Sequence, residues 1–132
     1  MNYIIDTHCF LWSAFSPEKL SITAKSLILD PDNDIFVSAI SFWEISLKYA
    51  IGKLDLEGVD PSELTDVADR MGFNLISLGV SESASFFKLP IVGHRDPFDR
   101  MLVWQAINLG KVLISKDAKI YEYEAHGLKV VW

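Results

Sequence analysis

Short apolar runs alternate along the chain with longer stretches in which apolar residues recur at helical spacing. The apolar runs predict strands at residues 3–5, 35–37, 74–77, 112–114 and 128–131. The stretches between them predict helices at residues 7–15, 17–29, 39–51, 61–71, 81–88 and 97–109, with another short helix after 114. Strands that alternate with helices are typical of an α/β domain, so we expect a mostly parallel sheet of about five strands.

Proline and glycine residues mark several of the predicted helix boundaries. Proline is favoured at the first helical position, which predicts helix starts at Pro17, Pro61 and Pro97. Glycine is favoured just after the last helical residue, which predicts helix ends at Gly52 and Gly110. No repeat and no linker interrupts this pattern, so we expect residues 1–132 to form one domain.

Composition narrows the class of protein. Half of the 132 residues are apolar, with only 7 Gly and 5 Pro, which excludes disordered and low-complexity chains. The longest uncharged runs, such as Thr7 to Pro17, are too short to cross a bilayer, and no basic leader precedes the first apolar run. The single cysteine, Cys9, fits a reducing compartment. We expect a soluble cytoplasmic protein without a membrane partner.

The net charge argues against one way of binding nucleic acid. The chain has 18 acidic and 12 basic residues, a net charge of −6. Proteins that coat nucleic acid through a broad basic face have the opposite balance. If this chain binds phosphates, cations held by clustered acids are the obvious source of attraction.

Five acidic residues fall where a parallel sheet would gather them. Asp6 and Asp117 follow predicted strands, and ligands of such sheets bind beyond the carboxyl ends of the strands. Asp96 and Asp99 open the longest predicted helix, and Glu44 interrupts an apolar helical run. Each acid also has an ordinary explanation, because Asp commonly caps helices and Glu44 can pair with the residue four positions on.

Together, the acids predict a hard-metal site. Asp99 precedes Leu102, Val103 and Ala106 by three, four and seven positions, which places its carboxylate on an apolar helix face. Carboxylates that converge there need raised pKa values or bound cations. Oxygen ligands without a His or Cys set favour Mg²⁺ or Mn²⁺, which activate water and neutralise a phosphodiester.

The motifs in this order resemble a known family. They are Ile5-Asp6-Thr7-His8, the run from Val37 to Ile45, the block His94-Arg95-Asp96-Pro97-Phe98-Asp99-Arg100, and Leu113-Ile114-Ser115-Lys116-Asp117. The chain resembles the PIN-domain ribonucleases, specifically the VapC-type toxins of bacterial type II toxin–antitoxin pairs. The resemblance covers nearly the whole chain, and the 94–100 block is its most specific part.

The resemblance implies a parallel sheet between helical layers, a three-layer α/β/α fold, and Mg²⁺- or Mn²⁺-dependent endoribonuclease activity. Asp6, Glu44 and Asp99 match the three core acids, and Asp117 matches the fourth. Ser115 stands where the family more often has Thr, which keeps the hydroxyl. The family also implies a homodimer and a cognate antitoxin that inserts a segment near the active site.

Other residues receive supporting roles. Hydroxyls or carboxylates that could orient ligands or water belong to Thr7, Ser115 and Asp96. Candidate phosphate contacts are Arg95, Arg100, Lys48 and Lys116. We expect His94 to be an exposed loop residue and Cys9 to be a small apolar helix residue, and neither is included in the catalytic set.

Two other functions remain open at this level. One is a catalytically silent PIN-like module whose acids only cap helices and whose partner is another protein. The other is an α/β phosphatase with an aspartyl nucleophile, which usually has a second Asp two residues after the first, where this chain has His8. No Gly-rich phosphate loop follows any predicted strand, which disfavours a nucleotide enzyme.

Overall fold

A five-stranded parallel sheet forms the centre of the protein. The computed structural model describes residues 1–132. The strands are β1 (Asn2–Ile5), β2 (Asp34–Ser38), β3 (Asn74–Ile76), β4 (Val112–Ile114) and β5 (Lys129–Val131). Their order across the sheet is β3-β2-β1-β4-β5, and every neighbouring pair is parallel. The expected number and direction of strands are confirmed.

Helices cover both faces of the sheet. The α-helices are α1 (Thr7–Phe15), α2 (Ile22–Leu29), α3 (Ala39–Ala50), α4 (Leu64–Arg70), α5 (Val80–Ser85) and α6 (Pro97–Leu109). Shorter 3₁₀ helices lie at Pro17–Lys19, Pro61–Glu63 and Phe86–Lys88, and a longer one at Ala118–His126. None of the helices combines the length and apolar character that a membrane span requires.

The side chains of β1 show why the fold has three layers. Alternate strand residues point to opposite faces of a sheet. Tyr3 and Ile5 pack in one core with Phe10 of α1, whereas Ile4 packs in a second core with Leu102 of α6. The two buried cores, one on each face, confirm the expected α/β/α arrangement.

Two of the three prolines predicted to start helices open only a 3₁₀ turn: the turn at Pro61–Glu63 leads directly into α4, whereas the turn at Pro17 is separate from α2. Pro17 begins only a single 3₁₀ turn, which ends at Leu20 in extended backbone. The α-helix starts at Ile22, because the Ser21 side chain accepts a hydrogen bond from the amide of Ala24. A local cap therefore decides this boundary, rather than the proline.

The long helix α6 matches its predicted boundaries. Asp96 caps its first turn, accepting hydrogen bonds from the amides of Phe98 and Asp99. Gly110 ends it in the left-handed conformation, at a φ of +63°, which glycine adopts without the cost a side chain would add. The helix thereby fixes Asp99 in its first turn, close to the carboxyl ends of the central strands.

Candidate active site

The central strands bring Asp6 and the segment after β4 together. Ile5 of β1 pairs with Ile114 of β4, and the amide of Asp6 donates a hydrogen bond of 3.2 Å to the carbonyl of Ile114. Ser115 and Asp117 follow directly after β4. The side chains that follow the two strands therefore meet at one edge of the sheet, as predicted from strand order.

The capping interpretation of the aspartates is confirmed, and it leaves carboxylate oxygens available. Asp6 caps α1 through Oδ1, which accepts from the amide of Cys9 at 2.8 Å. Asp117 caps the following 3₁₀ helix through Oδ1, which accepts from the amide of Lys119 at 3.0 Å. Asp96 caps α6 in the same way. Since each cap uses Oδ1 alone, capping orients these side chains without exhausting their ligand capacity.

Three of the predicted acids line one cavity of about 230 Å³. The carboxylates are those of Asp6, Asp99 and Asp117, and His8, Trp12 and Lys116 complete the lining. Within this region, single donor atoms of His94, Asp99 and Asp117 lie within 4.8 Å of one another, whereas Asp6 and Glu44 lie outside that tightest group.

His94 was expected to be exposed, and this expectation is wrong. Its exposed fraction is 7%, and its Nε2 lies 3.0 Å from Oδ2 of Asp99 and 3.1 Å from Oδ2 of Asp117. The amide of Asp96 donates to its Nδ1 at 3.4 Å, which leaves Nε2 to carry the ring proton toward the two carboxylates. His94 therefore holds Asp99 and Asp117 together.

The burial of His94 has no signal in the sequence around it. The residue lies in a loop without helical or strand periodicity. Its carbonyl accepts from the hydroxyl of the fully buried Tyr123 at 3.5 Å, a contact that spans 29 residues. The one available hint was the position of His94 five residues before Asp99, at the edge of the 94–100 motif.

Glu44 is buried rather than on the surface, and it lines a second cavity that shares His8 with the first. Its exposed fraction is 3%, and the hydroxyl of Thr7 donates to its Oε1 at 2.6 Å. The hydroxyl of Ser41 lies 3.0 Å from that of Thr7. Lys48 forms an ion pair with the other carboxylate oxygen, Oε2. The predicted i,i+4 pair exists, but one of its partners is buried, and Lys48 serves Glu44 instead of standing free for a phosphate.

Burial disfavours the ionised forms of Asp99 and Asp6, and neighbouring negative charges add to this effect at Asp99. Burial first, and then the negative charges of Asp96, Asp6 and Glu44, raise the pKa of Asp99 to about 6. The neighbouring His94 acts in the opposite direction. Burial also raises the pKa of the Asp6 carboxyl, although the Ser115 hydroxyl and the Cys9 amide favour its ionised form.

The remaining basic candidates lie in different surroundings. Lys116 is exposed and lines the cavity, and Arg95 is exposed in the loop before α6. The Arg100 guanidinium is directed elsewhere: it donates to the Tyr123 hydroxyl at 3.1 Å and to the Leu89 carbonyl at 3.1 Å. The guanidinium of Arg100 therefore bonds to groups of the protein itself and does not line the carboxylate cavity, which argues against a phosphate contact at this residue.

Cys9 does not contribute a nucleophile. The residue is fully buried, with Sγ 3.4 Å from the carbonyl of Ile114. Burial, reinforced by the negative charge of Asp6, raises the pKa of its thiol far above the ordinary value. A neutral thiol in these surroundings packs like a small apolar side chain.

Comparison with known families agrees with this geometry. A family model described as the PIN domain matches residues 3–125. The chain belongs to the PIN domain family. Ribonuclease VapC22 of Mycobacterium tuberculosis is 26% identical to this PIN domain over 129 residues, covering 98% of this chain and 97% of the relative.

Solved structures share the fold of this PIN domain. The structure of VapBC2 from Rickettsia felis, bound to a DNA fragment from the promoter, has a TM-score of 0.68 at 17% identity. The match covers 99% of this chain and 98% of the other. VapBC-1 from nontypeable Haemophilus influenzae has a TM-score of 0.64 at 18% identity, covering 99% and 97%. At identities this low, the structural similarity shows that the proteins share a fold and no more.

The donor set of this PIN domain fits a divalent cation. Carboxylate oxygens from Asp6, Asp99 and Asp117 face one cavity, and the buried Glu44 lines a neighbouring one that shares His8 with it. Oxygen donors suit Mg²⁺ and Mn²⁺. The imidazole of His94, which the sequence did not predict for this site, lies next to these donors and directs its Nε2–H group at the carboxylates of Asp99 and Asp117.

Proposed function

We propose that this PIN domain is a metal-dependent endoribonuclease of the VapC type, acting as the toxin of a toxin–antitoxin pair. The observation that carries the proposal is the convergence of Asp6, Asp99 and Asp117 on one cavity, with the buried Glu44 beside it. The similarity to ribonuclease VapC22 supports RNA as the substrate. The similarity to VapBC structures supports an antitoxin partner.

Asp6, Glu44, Asp99 and Asp117 would hold one or two Mg²⁺ or Mn²⁺ ions. Bound there, a divalent cation supplies a water of lowered pKa and neutralises charge on the phosphodiester. The Thr7 hydroxyl keeps Glu44 in one orientation, and the cap at Cys9 does the same for Asp6. We propose that cleavage leaves 5′-phosphate and 3′-hydroxyl ends.

His94 acts in this proposal as a positioning residue. Its Nε2–H group lies between the carboxylates of Asp99 and Asp117 and keeps them together. Ser115 supports the same segment, because its hydroxyl accepts from the amide of Asp117 at 3.1 Å. Asp96 orients the first turn of α6 and adds negative charge next to Asp99.

We also propose that the protein works in the cytoplasm, where its RNA substrates are, and as a homodimer. Lys116 is the candidate for a phosphate contact inside the cavity, since it is exposed and lines it. Arg95 is a second candidate, exposed next to His94.

Cleavage of total cellular RNA tests the proposal. Purified protein, shown to be folded and free of antitoxin, is incubated with RNA and Mg²⁺ or Mn²⁺, and new 5′ ends are mapped by sequencing. We expect discrete ends that disappear with chelator and with Asp6→Asn. They should persist with Asp32→Asn, a change at an exposed acid just before β2, at the edge of the sheet opposite the carboxyl ends of the strands. No new ends from the folded protein would instead support the silent binding module.

A further inference from the structure

An aromatic edge borders the carboxylate cavity on the side of α1. His8 and Trp12 both line the cavity, and because they are four residues apart on α1 they share one helix face. Their ring centroids are 5.6 Å apart. Trp132, which follows β5, also packs against Trp12, with a centroid distance of 5.9 Å and the two ring planes tilted by 58°. Trp12 is thus a fixed ring that remains partly exposed to the cavity.

The same two rings also border a second depression. A neighbouring cavity of about 280 Å³ shares His8 and Trp12 with the first, and apolar side chains such as Leu11 and Leu54 form much of its wall. A ligand longer than the carboxylate cavity can therefore continue across the edge formed by His8 and Trp12.

The bonding of Trp12 leaves it free to contact a ligand. The indole nitrogen of Trp104 donates to the Glu82 carbonyl and to the Ser85 hydroxyl, which ties that ring into the fold. The indole nitrogen of Trp12 makes no such bond within the protein. The ammonium group of the exposed Lys116 lies over the Trp12 ring, 5.8 Å from its centre, so a positive charge stands at the face of a flat apolar surface.

A flat ring and a cation beside a cluster of carboxylates match the chemistry of a nucleotide. We propose that Trp12 is a stacking surface for an unpaired nucleobase next to the phosphodiester at the carboxylates, with His8 extending the surface and Lys116 contacting the backbone. This inference rests on the proposed ribonuclease function and assigns the contact of one unpaired base of the RNA. In a duplex both faces of each base are covered by neighbouring bases, so a side chain can stack only on an unpaired base.

Binding of defined RNAs tests this surface without relying on cleavage. Fluorescence anisotropy is measured with a labelled single-stranded RNA of about eight nucleotides, with Ca²⁺ in place of Mg²⁺. The variants are Trp12→Leu, Trp12→Phe and the control Trp43→Leu, which alters a tryptophan that is 62% exposed on α3 and lines a different cavity. Thermal unfolding and Mn²⁺ titration accompany each variant.

We expect Trp12→Leu to bind the RNA roughly tenfold or more weakly, Trp12→Phe to restore part of the affinity, and Trp43→Leu to bind like the unmodified protein. Mn²⁺ affinity should stay unchanged in all three variants. In a series of RNAs that each lack one base, one position should weaken binding to the unmodified protein but not to Trp12→Leu.

Other outcomes overturn the inference in distinguishable ways. Unchanged RNA affinity in Trp12→Leu removes the stacking surface while leaving the ribonuclease proposal intact. If that variant changes the oligomeric state instead, measured by light scattering, Trp12 belongs to a protein contact. Loss of Mn²⁺ binding together with RNA binding assigns Trp12 a purely structural role. An unmodified protein that binds Mn²⁺ but no RNA removes both the proposed function and this inference.

Discussion

Neutralising Asp99 should stabilise the metal-free protein while removing its metal-binding ability. A carboxyl with a pKa of about 6 in the folded chain and 3.8 when exposed destabilises the fold by about 3 kcal/mol near neutral pH. The side chain is 18% exposed, and screening by solvent reduces this figure, so we expect a gain of about 1–3 kcal/mol for Asp99→Asn. For a chain of this length, 3 kcal/mol corresponds to a rise in Tm of roughly 10 °C.

The pH dependence of this gain has a definite sign. Between pH 3.8 and about 6 the folded chain keeps the Asp99 proton, whereas the unfolded chain has lost it. Raising the pH through that window therefore destabilises the unmodified protein. The stability difference between Asp99→Asn and the unmodified protein should be absent below about pH 4, grow through the window, and level off near pH 7.

Urea unfolding in the presence of chelator measures this difference, with Asp32→Asn as the control at an exposed acid. Added Mn²⁺ should stabilise the unmodified protein in proportion to the logarithm of its concentration and leave Asp99→Asn unchanged. The reasoning fails if Asp99→Asn is no more stable than the unmodified protein near neutral pH. It also fails if the gain is the same at pH 4 and pH 7.

Three further changes test other parts of the structure. Lys48→Met should lower the free energy of unfolding, measured in urea, by about 1–3 kcal/mol, because it leaves the buried Glu44 without the ammonium group that pairs with it. Adding Glu44→Gln to this variant should recover most of the loss. Tyr123→Phe should cost about 1–2 kcal/mol and weaken Mn²⁺ binding in calorimetry, because its hydroxyl supports the carbonyl of His94; unchanged Mn²⁺ affinity would contradict this. Gly110→Ala should cost about 1 kcal/mol, since it forces a side chain into the left-handed region, without altering Mn²⁺ affinity.

The elements that position the acids could be predicted from the sequence because their signals are local. The run Tyr3-Ile4-Ile5 is a buried strand that ends directly before Asp6, and parallel pairing places the end of β4 beside it. Asp99 was predictable because helical spacing links it to the apolar face of α6. Most of the fold, and with it the position of the three acids that line the cavity, could therefore be predicted from strand order and helical spacing.

The features that the sequence did not predict depend on contacts between distant segments. His94 is buried because Tyr123 and the two carboxylates surround it, and no local periodicity records those contacts. The Arg100 side chain is directed away from the site, because the Tyr123 hydroxyl and the Leu89 carbonyl accept hydrogen bonds from its guanidinium group. Loop side chains of this kind are placed by tertiary structure, so charge and motif position alone cannot assign their roles.

One physical arrangement explains how the site can hold so much negative charge in a folded chain. Asp6 and Asp117 each give one oxygen to a helix N-terminus, where amide groups and the helix dipole favour a carboxylate. Glu44 is compensated by Thr7 and Lys48. Asp99 shares only the Nε2–H group of His94, and the other acids surround it, so uncompensated charge remains on this residue, as it does on the buried Asp6. A bound cation would relieve that charge, and Asp99 faces the carboxylate cavity, so this position links metal binding directly to stability.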